Sequence, residues 1–334
     1  MTAINLAGSW TLTRSSDSTT RPALLPGDIM SALIASGELA DPYHDRNELA
    51  AQWVGREDWL LSRDFELSAD FLARGDIFLE IESLDTKGEV RLNGSLIGSS
   101  SNMFTRLRLD AKAALKTGLN RLEILIGSPE SAAKTLSESL PYPVPHSTYP
   151  IGSPHRNLLR KVQCMSGWDW GPCLMTGGVY DGIRLVGLDG PRIDYVTTSS
   201  TKVVEGRWEL KVRAELEAKT AGRARVEVEI AGVKKNVELE TSIGRSVATL
   251  VLVLDGIETW WPAGHGEQAL YELRVRCSGS KSGSEPHELV KKLGFRELLV
   301  VSEKDGVGRS LSFRVNGRDE GAGVTLSALS RIHE

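Results

Sequence analysis

The chain has 334 residues, of which 40% are hydrophobic and 25% are charged, and its formal net charge is −4. This length allows two or three domains of about 100–200 residues each, and the composition is typical of a globular protein. The slightly acidic balance excludes the basic surface expected of a nucleic-acid or membrane-surface binder. Because Met1 to Trp10 lack a basic segment followed by an apolar core, we expect no secretion signal, and no apolar run is long enough to span a membrane.

The cysteines are few and odd in number: Cys164, Cys173 and Cys277. Such usage favours a reducing compartment without a disulfide framework, so we expect a cytoplasmic protein. The spacing of the cysteines matches no zinc pattern and the histidines form no ligand motif, so no metal and no cofactor is predicted. We expect all three thiols to be small buried hydrophobic groups.

The first region, residues 1–190, is predicted to consist of strands with one early helix. Asp28 can cap this helix and Gly37 can end it. Residues 77–81 alternate with a period of two, which is typical of a strand with one buried face. Asn93-Gly94 separates two apolar runs and is a strong hairpin signal, because both residues tolerate positive φ.

Residues 128–158 differ from the rest because they contain a series of prolines that a sheet ladder cannot accommodate. We expect a structureless insert here, which in a compact domain is usually functional or disordered. Its position directly before residue 160 favours a lip over the segment that follows. His155 is expected to be exposed, although contact with a substrate is an alternative. The prolines are Pro141, Pro143, Pro145, Pro150 and Pro154.

Two indoles flank one carboxylate in the segment Trp168-Asp169-Trp170. Tryptophan favours burial with its N–H satisfied, and a carboxylate beside it loses water and needs partners. A structural corner would explain the segment, with Asp169 capping backbone N–H groups or pairing with Arg160 or Lys161. A sugar site would also explain it, since indoles stack on the C–H faces of a pyranose while the carboxylate accepts hydrogen bonds from neighbouring hydroxyls.

Pro191 marks the predicted start of a second region of short strands separated by turns, a pattern that indicates a β-sandwich. Ala231-Gly232 provides one of its tight turns. Residues 247–254 are apolar on both faces, which predicts a central strand. Trp260 and Trp261 are expected to be structural and to lie at an edge of the sandwich.

Six motifs occur along the chain in the order found in one enzyme family. They are Leu25-Pro26-Gly27-Asp28; Asp41-Pro42-Tyr43 with Asn47-Glu48; Trp53-Val54-Gly55-Arg56-Glu57-Asp58-Trp59; the run from Arg160 and Lys161 through Gln163, Cys164 and Gly167 to Trp168-Asp169-Trp170-Gly171-Pro172; Trp260-Trp261-Pro262 with Gly264 and Gly266; and Ser312-Phe313-Arg314-Val315-Asn316-Gly317. Together they cover most of the chain, and the set resembles the β-mannosidases of glycoside hydrolase family 2.

This resemblance implies an all-β fold, with a jelly-roll-like sandwich over residues 1–190 and an immunoglobulin-like sandwich over residues 191–300. Family members continue with a catalytic (β/α)₈ barrel, which needs about 250 residues. Because too few residues follow Val300, we expect the barrel to be absent from this chain and residues 301–334 to be a truncated lead-in to it. Residues 319–334 depart from the family pattern and are expected to be disordered or weakly helical.

The resemblance also implies the roles of individual residues. The two catalytic glutamates of the family lie on barrel strands, so we predict no catalytic residue in this chain. Glu48 follows an asparagine, as the family's acid/base does, but its place in the first region predicts a structural ion pair or a rim contact. By the family motif, Asp169 would hold substrate hydroxyls away from the anomeric carbon, and Trp168 and Trp170 would shape that wall.

The implied function is removal of terminal β-linked mannose from oligosaccharides with retention of configuration. The chain would supply the non-catalytic N-terminal domains and part of the sugar pocket, would bind a β-mannoside oligosaccharide, and would be inactive alone. The face that docks on a barrel, near Trp260, Trp261 and Phe295, is expected to promote self-association. Two alternatives stay open, namely a stand-alone carbohydrate-binding or interaction module and a gene-model fragment with no independent role.

Overall fold

In a computed structural model, the chain divides into two compact units, one over Thr2–Gly187 and one from Leu188 onward. Each unit is a sandwich of antiparallel sheets, and no (β/α)₈ barrel occurs in the residues that the structure describes. The all-β fold class predicted from the sequence is therefore confirmed. The described residues are 2–147, 154–167, 171–279, 286–304 and 306–320.

The first unit contains strands, short helices and single 3₁₀ turns. In chain order they are β1 (Thr2–Asn5), β2 (Gly8–Arg14), β3 (Thr20–Leu25), β4 (Gly27–Asp28), α1 (Ile29–Ala35), α2 (Asn47–Ala51), a 3₁₀ turn (Gln52–Arg56), β5 (Trp59–Leu67), α3 (Ala69–Leu72), β6 (Asp76–Ile81), β7 (Leu84–Asp85), β8 (Gly88–Leu92), β9 (Ser95–Ser100), β10 (Leu107–Asp110), a 3₁₀ turn (Lys112–Ala114), β11 (Gly118–Ile126), α4 (Pro129–Ser139), two 3₁₀ turns (Arg156–Leu158 and Gln163–Met165), β12 (Gly178–Val179) and β13 (Ile183–Leu188).

A six-stranded sheet, β3-β2-β5-β11-β8-β9, and a four-stranded sheet, β1-β13-β6-β10, share one apolar core. The core takes buried side chains from both sheets, such as Leu12 and Leu61 from the larger and Leu79 and Leu185 from the smaller. Strands far apart in sequence are neighbours, as β5 and β11 are, which is the crossing connectivity of a jelly roll. A third sheet, β4-β12-β7, brings three short segments together.

The local signals in this unit are confirmed. The Asp28 carboxylate accepts a hydrogen bond from the Ser31 backbone N–H at 3.0 Å and so caps α1. Gly37 follows the helix with φ of +77°. Asn93 and Gly94 connect β8 to β9 with φ values of +50° and +84°, as their hairpin signal predicts.

Strand β6 is buried on both faces, whereas its alternation is typical of a strand with one exposed face. Glu80, in an outward-pattern position, is only 6% exposed. Its carboxylate accepts a hydrogen bond from Arg184 Nη2 at 2.7 Å and lies 3.3 Å from Arg108 Nε. A buried carboxylate is tolerated only when it is paired, and these two guanidinium groups compensate its lost hydration.

Helix α4 occupies part of the segment that the prolines marked, so the expectation of a structureless insert over residues 128–158 is wrong there. The Ser128 hydroxyl accepts a hydrogen bond from a first-turn N–H, and Pro129 stands where a helix needs no donor. The proline series begins only at Pro141, after the helix has ended. Residues 148–153 of the same segment lie outside the described residues.

The second unit is built almost entirely of strands. They are β14 (Arg192–Val204), β15 (Arg207–Ala218), β16 (Gly222–Ile230), β17 (Val233–Thr241), β18 (Gly244–Asp255), β19 (Tyr271–Gly279), β20 (His287–Leu293), β21 (Leu298–Val301), β22 (Ser312–Val315) and β23 (Arg318–Glu320). Sheets β14-β15-β18 and β17-β16-β19-β20 enclose a core that includes Trp208 and Phe295. Three strands packed on four is the arrangement of an immunoglobulin-like sandwich.

Strand β18 lies at the edge of its sheet, so the prediction of a central strand over residues 247–254 is wrong. Its second face points outward, and Val247, Val251 and Val253 are exposed on it. Lys235 Nζ donates a hydrogen bond to the Val251 carbonyl at 2.8 Å. A lysine placed across a sheet edge opposes further strand pairing.

Trp260 has the structural role that was predicted for it. It is 5% exposed, and the Arg296 guanidinium lies over its ring at 4.6 Å. Arg318 stands over the Trp261 ring at the same distance. Phe295 is 1% exposed, so neither Phe295 nor Trp260 adds to an exposed apolar face, contrary to expectation. Self-association stays a prediction.

Strand β23 corrects an expectation about the last part of the chain. Asp319 and Glu320 pair with β22, so these two residues are neither disordered nor helical. Residues 321–334 lie outside the described residues.

Candidate functional site

The three predicted sugar-binding residues, Trp168, Asp169 and Trp170, lie outside the described residues. Their neighbours on both sides, Gly167 and Gly171, are described. The segments that hold the two ends of the tripeptide, residues 160–167 before it and 171–176 after it, are called the frame.

The frame is closed at its base. Ser166 and Cys173 form an antiparallel bridge, and the Leu174 N–H donates to the Met165 carbonyl at 2.8 Å. Gly167 has φ of +68°, and a Cβ there would lie 2.7 Å from the Gly171 carbonyl oxygen. Only glycine fits such a close approach of two backbone segments, so the chain enters and leaves the tripeptide at one point.

Helix α2 fixes the exit of the frame. Glu48 Oε1 accepts a hydrogen bond from the Cys173 N–H at 2.8 Å, and Gln52 Nε2 donates to the Cys173 carbonyl at 2.8 Å. The backbone N–H and C=O of Cys173 are thus both held by side chains four positions apart, one on α2 and one at the start of the 3₁₀ turn that follows it. The Glu48 carboxylate binds the backbone rather than forming the ion pair that was expected for it. This engagement is structural and gives no support to a catalytic role.

A fully buried ion pair fixes the entry of the frame. Lys161 Nζ lies 2.9 Å from Asp85 Oδ2, and both side chains are 0% exposed. The ammonium also donates to the Thr176 carbonyl at 3.0 Å. Lys161 is therefore already neutralised, which disfavours its pairing with Asp169. Arg160, the other cation considered for that pairing, is exposed.

Polar groups behind the frame extend this network. Tyr180 Oη lies 3.1 Å from Thr176 Oγ1, to which it donates a hydrogen bond. Burial raises the pKa of the Tyr180 phenol well above its ordinary value, so the group stays a donor at neutral pH. Lys161 and Thr176 also approach the Met165 sulfur, at 3.5 and 2.7 Å. The network joins the segments before and after the tripeptide to the sheet β4-β12-β7.

Helix α4 covers another side of the frame. Ala132, Ala133, Leu159 and Met175 form a small apolar cluster between the helix and the frame. A Cβ on Gly55 would lie 2.7 Å from the Met175 Cβ, so the turn after α2 packs tightly on the same side chain. The segment predicted to form a lip therefore contributes a packed helix.

His155 is half-buried rather than exposed, which corrects the expectation for this residue. Its ring lies 4.0 Å from the His146 ring, centroid to centroid. Its φ of +65° places it in the left-handed region, where histidine is more common than most residues. Contact of His155 with a substrate stays a prediction.

The cysteines are all described and all free. Cys173 and Cys277 are buried as expected, whereas Cys164 is exposed, so the prediction for Cys164 is wrong. Burial raises the pKa of the Cys173 thiol and raises that of Cys277 to about 12. Cys164 stands on the 3₁₀ turn that leads into the frame.

The contacts by which two residues hold the frame were not predicted from the sequence. Asp85 lies in no motif, and the strand that carries it has only two residues. Glu48 belongs to a motif, but its partner is the backbone N–H of Cys173. A pattern of residue types cannot indicate a backbone partner. Among the described residues, no cluster of three metal-ligating side chains occurs, and no helix combines the length and apolarity needed to cross a membrane.

The fold defines the class of protein as one with two successive antiparallel β-sandwich domains, the first jelly-roll-like and the second immunoglobulin-like. Two family models match in the corresponding order. One, described as the glycosyl hydrolase 2 galactose-binding domain-like family, matches residues 10–181. The other, described as glycosyl hydrolases family 2, matches residues 192–296. The chain belongs to glycoside hydrolase family 2.

Curated relatives are similar over nearly the whole chain. The β-mannosidase of Bos taurus is 30% identical over 329 residues, which are 94% of this chain and 37% of that protein. The β-mannosidase B of Emericella nidulans is 33% identical over 300 residues, 88% of this chain and 35% of that protein. The chain thus spans little more than a third of the length of these relatives.

Solved structures show the same relationship. The β-D-mannosidase of Dictyoglomus thermophilum superposes with a TM-score of 0.88 at 28% identity, covering 96% of this chain and 39% of that one. The exo-chitosanase of Amycolatopsis orientalis superposes with a TM-score of 0.75 at 18% identity, covering 96% and 36%, and shows a shared fold alone.

Proposed function

We propose that the chain supplies the N-terminal domains of an enzyme that removes terminal β-linked mannose from oligosaccharides with retention of configuration. The closed frame around residues 168–170 carries this proposal, because a loop pinned at both ends can present its side chains in a fixed geometry. Similarity to proteins named β-mannosidase, at 30% identity over 94% of the chain, supports mannose as the sugar.

In this proposal Asp169 accepts hydrogen bonds from two hydroxyls of the terminal mannose, and Trp168 and Trp170 form the adjoining wall. Two observations support a free carboxylate. The cation nearest in sequence to the frame, Lys161, is neutralised by Asp85, and Arg160 is exposed to water. A carboxylate that is not consumed by a buried cation keeps its acceptor sites for a ligand.

Bond cleavage with retention requires two carboxyl groups about 5–5.5 Å apart, one as acid/base and one as nucleophile. Glu48, the one candidate near the frame that the sequence suggested, has its carboxylate hydrogen-bonded to the Cys173 N–H. We therefore propose that this chain binds the sugar without cleaving it, and that the catalytic pair belongs to a further domain of the enzyme.

Binding of β-1,4-mannobiose to the purified chain tests the proposal, with cellobiose as the matched control because it differs in configuration at C2. We expect saturable binding of mannobiose, weaker binding of cellobiose, and no release of the aryl group from an aryl β-mannoside. Equal binding of the two disaccharides, or binding of neither, would contradict the substrate class. Aryl release that Glu48→Gln abolishes would contradict the assignment of the chemistry to another domain.

We also propose a cytoplasmic location for the chain. The three free thiols support it, because such cysteines persist in a reducing compartment.

A further inference from the structure

Two strands of the jelly-roll-like sandwich separate part-way along their length. The β2–β5 ladder runs only over Thr11–Arg14 and Trp59–Ser62, although β5 continues to Leu67. Beyond that point Arg63 crosses the gap, and its Nη1 donates to the carbonyls of Leu6 and Ala7 at 2.7 and 2.5 Å. The separation is therefore held open by a fixed guanidinium group.

The gap is a cleft of about 310 Å³ on the outer face of the six-stranded sheet. Pockets for drug-sized ligands are about 300–1,000 Å³, so this one matches a single small ring rather than an oligomer or a nucleotide. Trp10 lies beneath it, 4% exposed, with its indole N–H donated to the Leu6 carbonyl. The ring is thus part of the core, so polar groups are what the cleft offers to a ligand.

Three hydroxyls line the cleft, those of Ser9, Thr11 and Ser62. Ser62 is only 4% exposed. None of the three makes a side-chain hydrogen bond to another described residue. Each hydroxyl can therefore donate to and accept from a ligand that takes the place of water in the cleft.

The Arg121 guanidinium at the rim of the cleft is paired with carboxylates. Arg121 Nη1 lies 3.3 Å from Asp64 Oδ1, and Arg121 Nε lies 3.2 Å from Glu123 Oε1. The lining of the cleft thus carries two guanidinium groups, those of Arg63 and Arg121, and one carboxylate, that of Asp64. An anion would meet the Asp64 carboxylate and a cation would meet the guanidinium groups, whereas a neutral ligand with several hydroxyls can bond to both kinds of group.

We propose that this cleft is a second carbohydrate site that takes one neutral saccharide unit. The hydroxyls of Ser9, Thr11 and Ser62 would exchange hydrogen bonds with the sugar, and Asp64 would accept from a hydroxyl at the rim. Because the ligand gains no aromatic stacking, binding is weak. The site uses none of the residues of the frame, so it does not depend on the proposed function.

Residue-specific NMR of the labelled full chain tests the site with methyl β-D-mannopyranoside as the probe. The backbone amides of Ser9, Thr11 and Ser62 are expected to shift saturably, and inorganic phosphate is expected to leave them unchanged. Thr11→Val keeps the side-chain shape and removes one hydroxyl, and it should weaken binding about fivefold, the usual effect of one neutral hydrogen bond. Thr13→Val, on the same strand but outside the cleft, is the matched control and should leave the affinity unchanged.

Three results would overturn the proposal: absence of saturable shifts at the cleft, saturable shifts with phosphate, or equal affinities in the Thr11→Val and Thr13→Val variants. The titration is repeated with Asp169→Asn to separate the two sites. Persistence of the cleft shifts in that variant supports an independent site even if the proposed function fails. Their disappearance would show that the cleft amides report binding elsewhere, and would contradict the proposal.

Discussion

Lys161 and Asp85 form an ion pair at 2.9 Å with both side chains fully buried, and this pair joins the entry of the Trp-Asp-Trp loop to a short central sheet. The two residues are 76 positions apart in the chain. Because the Lys161 ammonium also donates to the Thr176 carbonyl, the segments before and after the loop share one anchor. Stability of the first unit and geometry of the loop are therefore coupled through Lys161.

Replacing Lys161 with Met keeps the length of the side chain and removes its charge. Removing one partner of a buried pair leaves the other charge uncompensated and costs about 3–5 kcal/mol. For a unit of this size each kcal/mol lowers the melting temperature by about 2–4 °C, so we expect a drop of about 6–20 °C by calorimetry. Lys134→Met, at an exposed helix position, is the control and should change little.

The paired variant Lys161→Met with Asp85→Leu removes both charges and should recover much of this loss. If the paired variant is as unstable as Lys161→Met alone, the ion pair is not what makes the single change costly.

Glu48→Ala should destabilise the frame, whereas Glu48→Gln should not. The amide oxygen of Gln can still accept the hydrogen bond from the Cys173 N–H, while Ala leaves that group without its partner. Loss of a hydrogen bond to a charged group costs about 1.5–3 kcal/mol. Denaturant titration of both variants measures this difference, and Glu138→Ala at an exposed position serves as the control. Equal stability of the Ala and Gln variants would contradict a structural role for the carboxylate.

The Arg21–Glu38 pair should make the first unit more sensitive to acid. Arg21 donates to Glu38 through Nε at 2.6 Å and Nη2 at 2.7 Å, and these bonds hold the pKa of the Glu38 carboxyl below its ordinary value. A lowered folded-state pKa means that the pair's contribution is present above the unfolded-state pKa of about 4.3 and is lost as the pH falls through the folded-state pKa. Since the Glu38 side chain is 39% exposed, screening limits the contribution to about 1 kcal/mol.

Glu38→Gln should therefore lower the free energy of unfolding at pH 7 and have a much smaller effect near pH 3, by denaturant titration at both pH values. An equal loss at the two pH values would mean that the carboxylate charge does not contribute. Glu138→Gln, at an exposed helix position, controls for the general effect of removing a negative charge.

One of the three thiols should react in the folded chain. Cys164 is exposed, whereas burial raises the pKa values of Cys173 and Cys277 and so keeps them protonated and unreactive. Titration with a thiol-specific disulfide reagent should give one equivalent for the native chain and three after denaturation. Cys164→Ser should abolish the native reaction, and a remaining equivalent would place the accessible thiol elsewhere.

Local signals in the sequence predicted local structure well. The Asp28 cap and the Asn93-Gly94 turn need only neighbouring residues, because a capping side chain bonds within three positions and a turn depends on its own φ values. The edge position of β18 was missed because apolar residues on both faces fit a central strand equally well. Residues 247–254 show this pattern, yet three of the outward valines meet solvent.

The frame could not be predicted because its contacts join distant parts of the chain. Glu48 and Cys173 are 125 positions apart, and only the folded sandwich brings the α2 turn beside the loop. The motif around Asp169 predicts a sugar site because it combines side chains that are costly to bury without a purpose, and this stays a prediction. Which partner each charged group takes is decided by the packing of strands that the motif does not contain.

Asp169→Asn separates the two explanations of the Trp-Asp-Trp segment. If Asp169 holds sugar hydroxyls, loss of its charge removes hydrogen bonds worth about 1.5–3 kcal/mol each, which is about a 10–150-fold loss of affinity per bond. If it instead pairs with a buried cation, the change leaves that cation uncompensated and costs about 3–5 kcal/mol of stability. The structure disfavours pairing of Asp169 with a buried cation, because Lys161 already forms an ion pair with Asp85 and Arg160, the other candidate cation, is exposed. An exposed pair contributes only about 0–1 kcal/mol, so the melting temperature of Asp169→Asn should be close to that of the unchanged chain.

Mannobiose affinity of the Asp169→Asn variant should fall by at least tenfold, and in an enzyme that joins this chain to a family 2 barrel, kcat/KM should fall with it. Asp181→Asn, at an exposed position after the frame, is the matched control. A large drop in melting temperature with unchanged affinity in the folded fraction would show that Asp169 serves the fold and not the sugar.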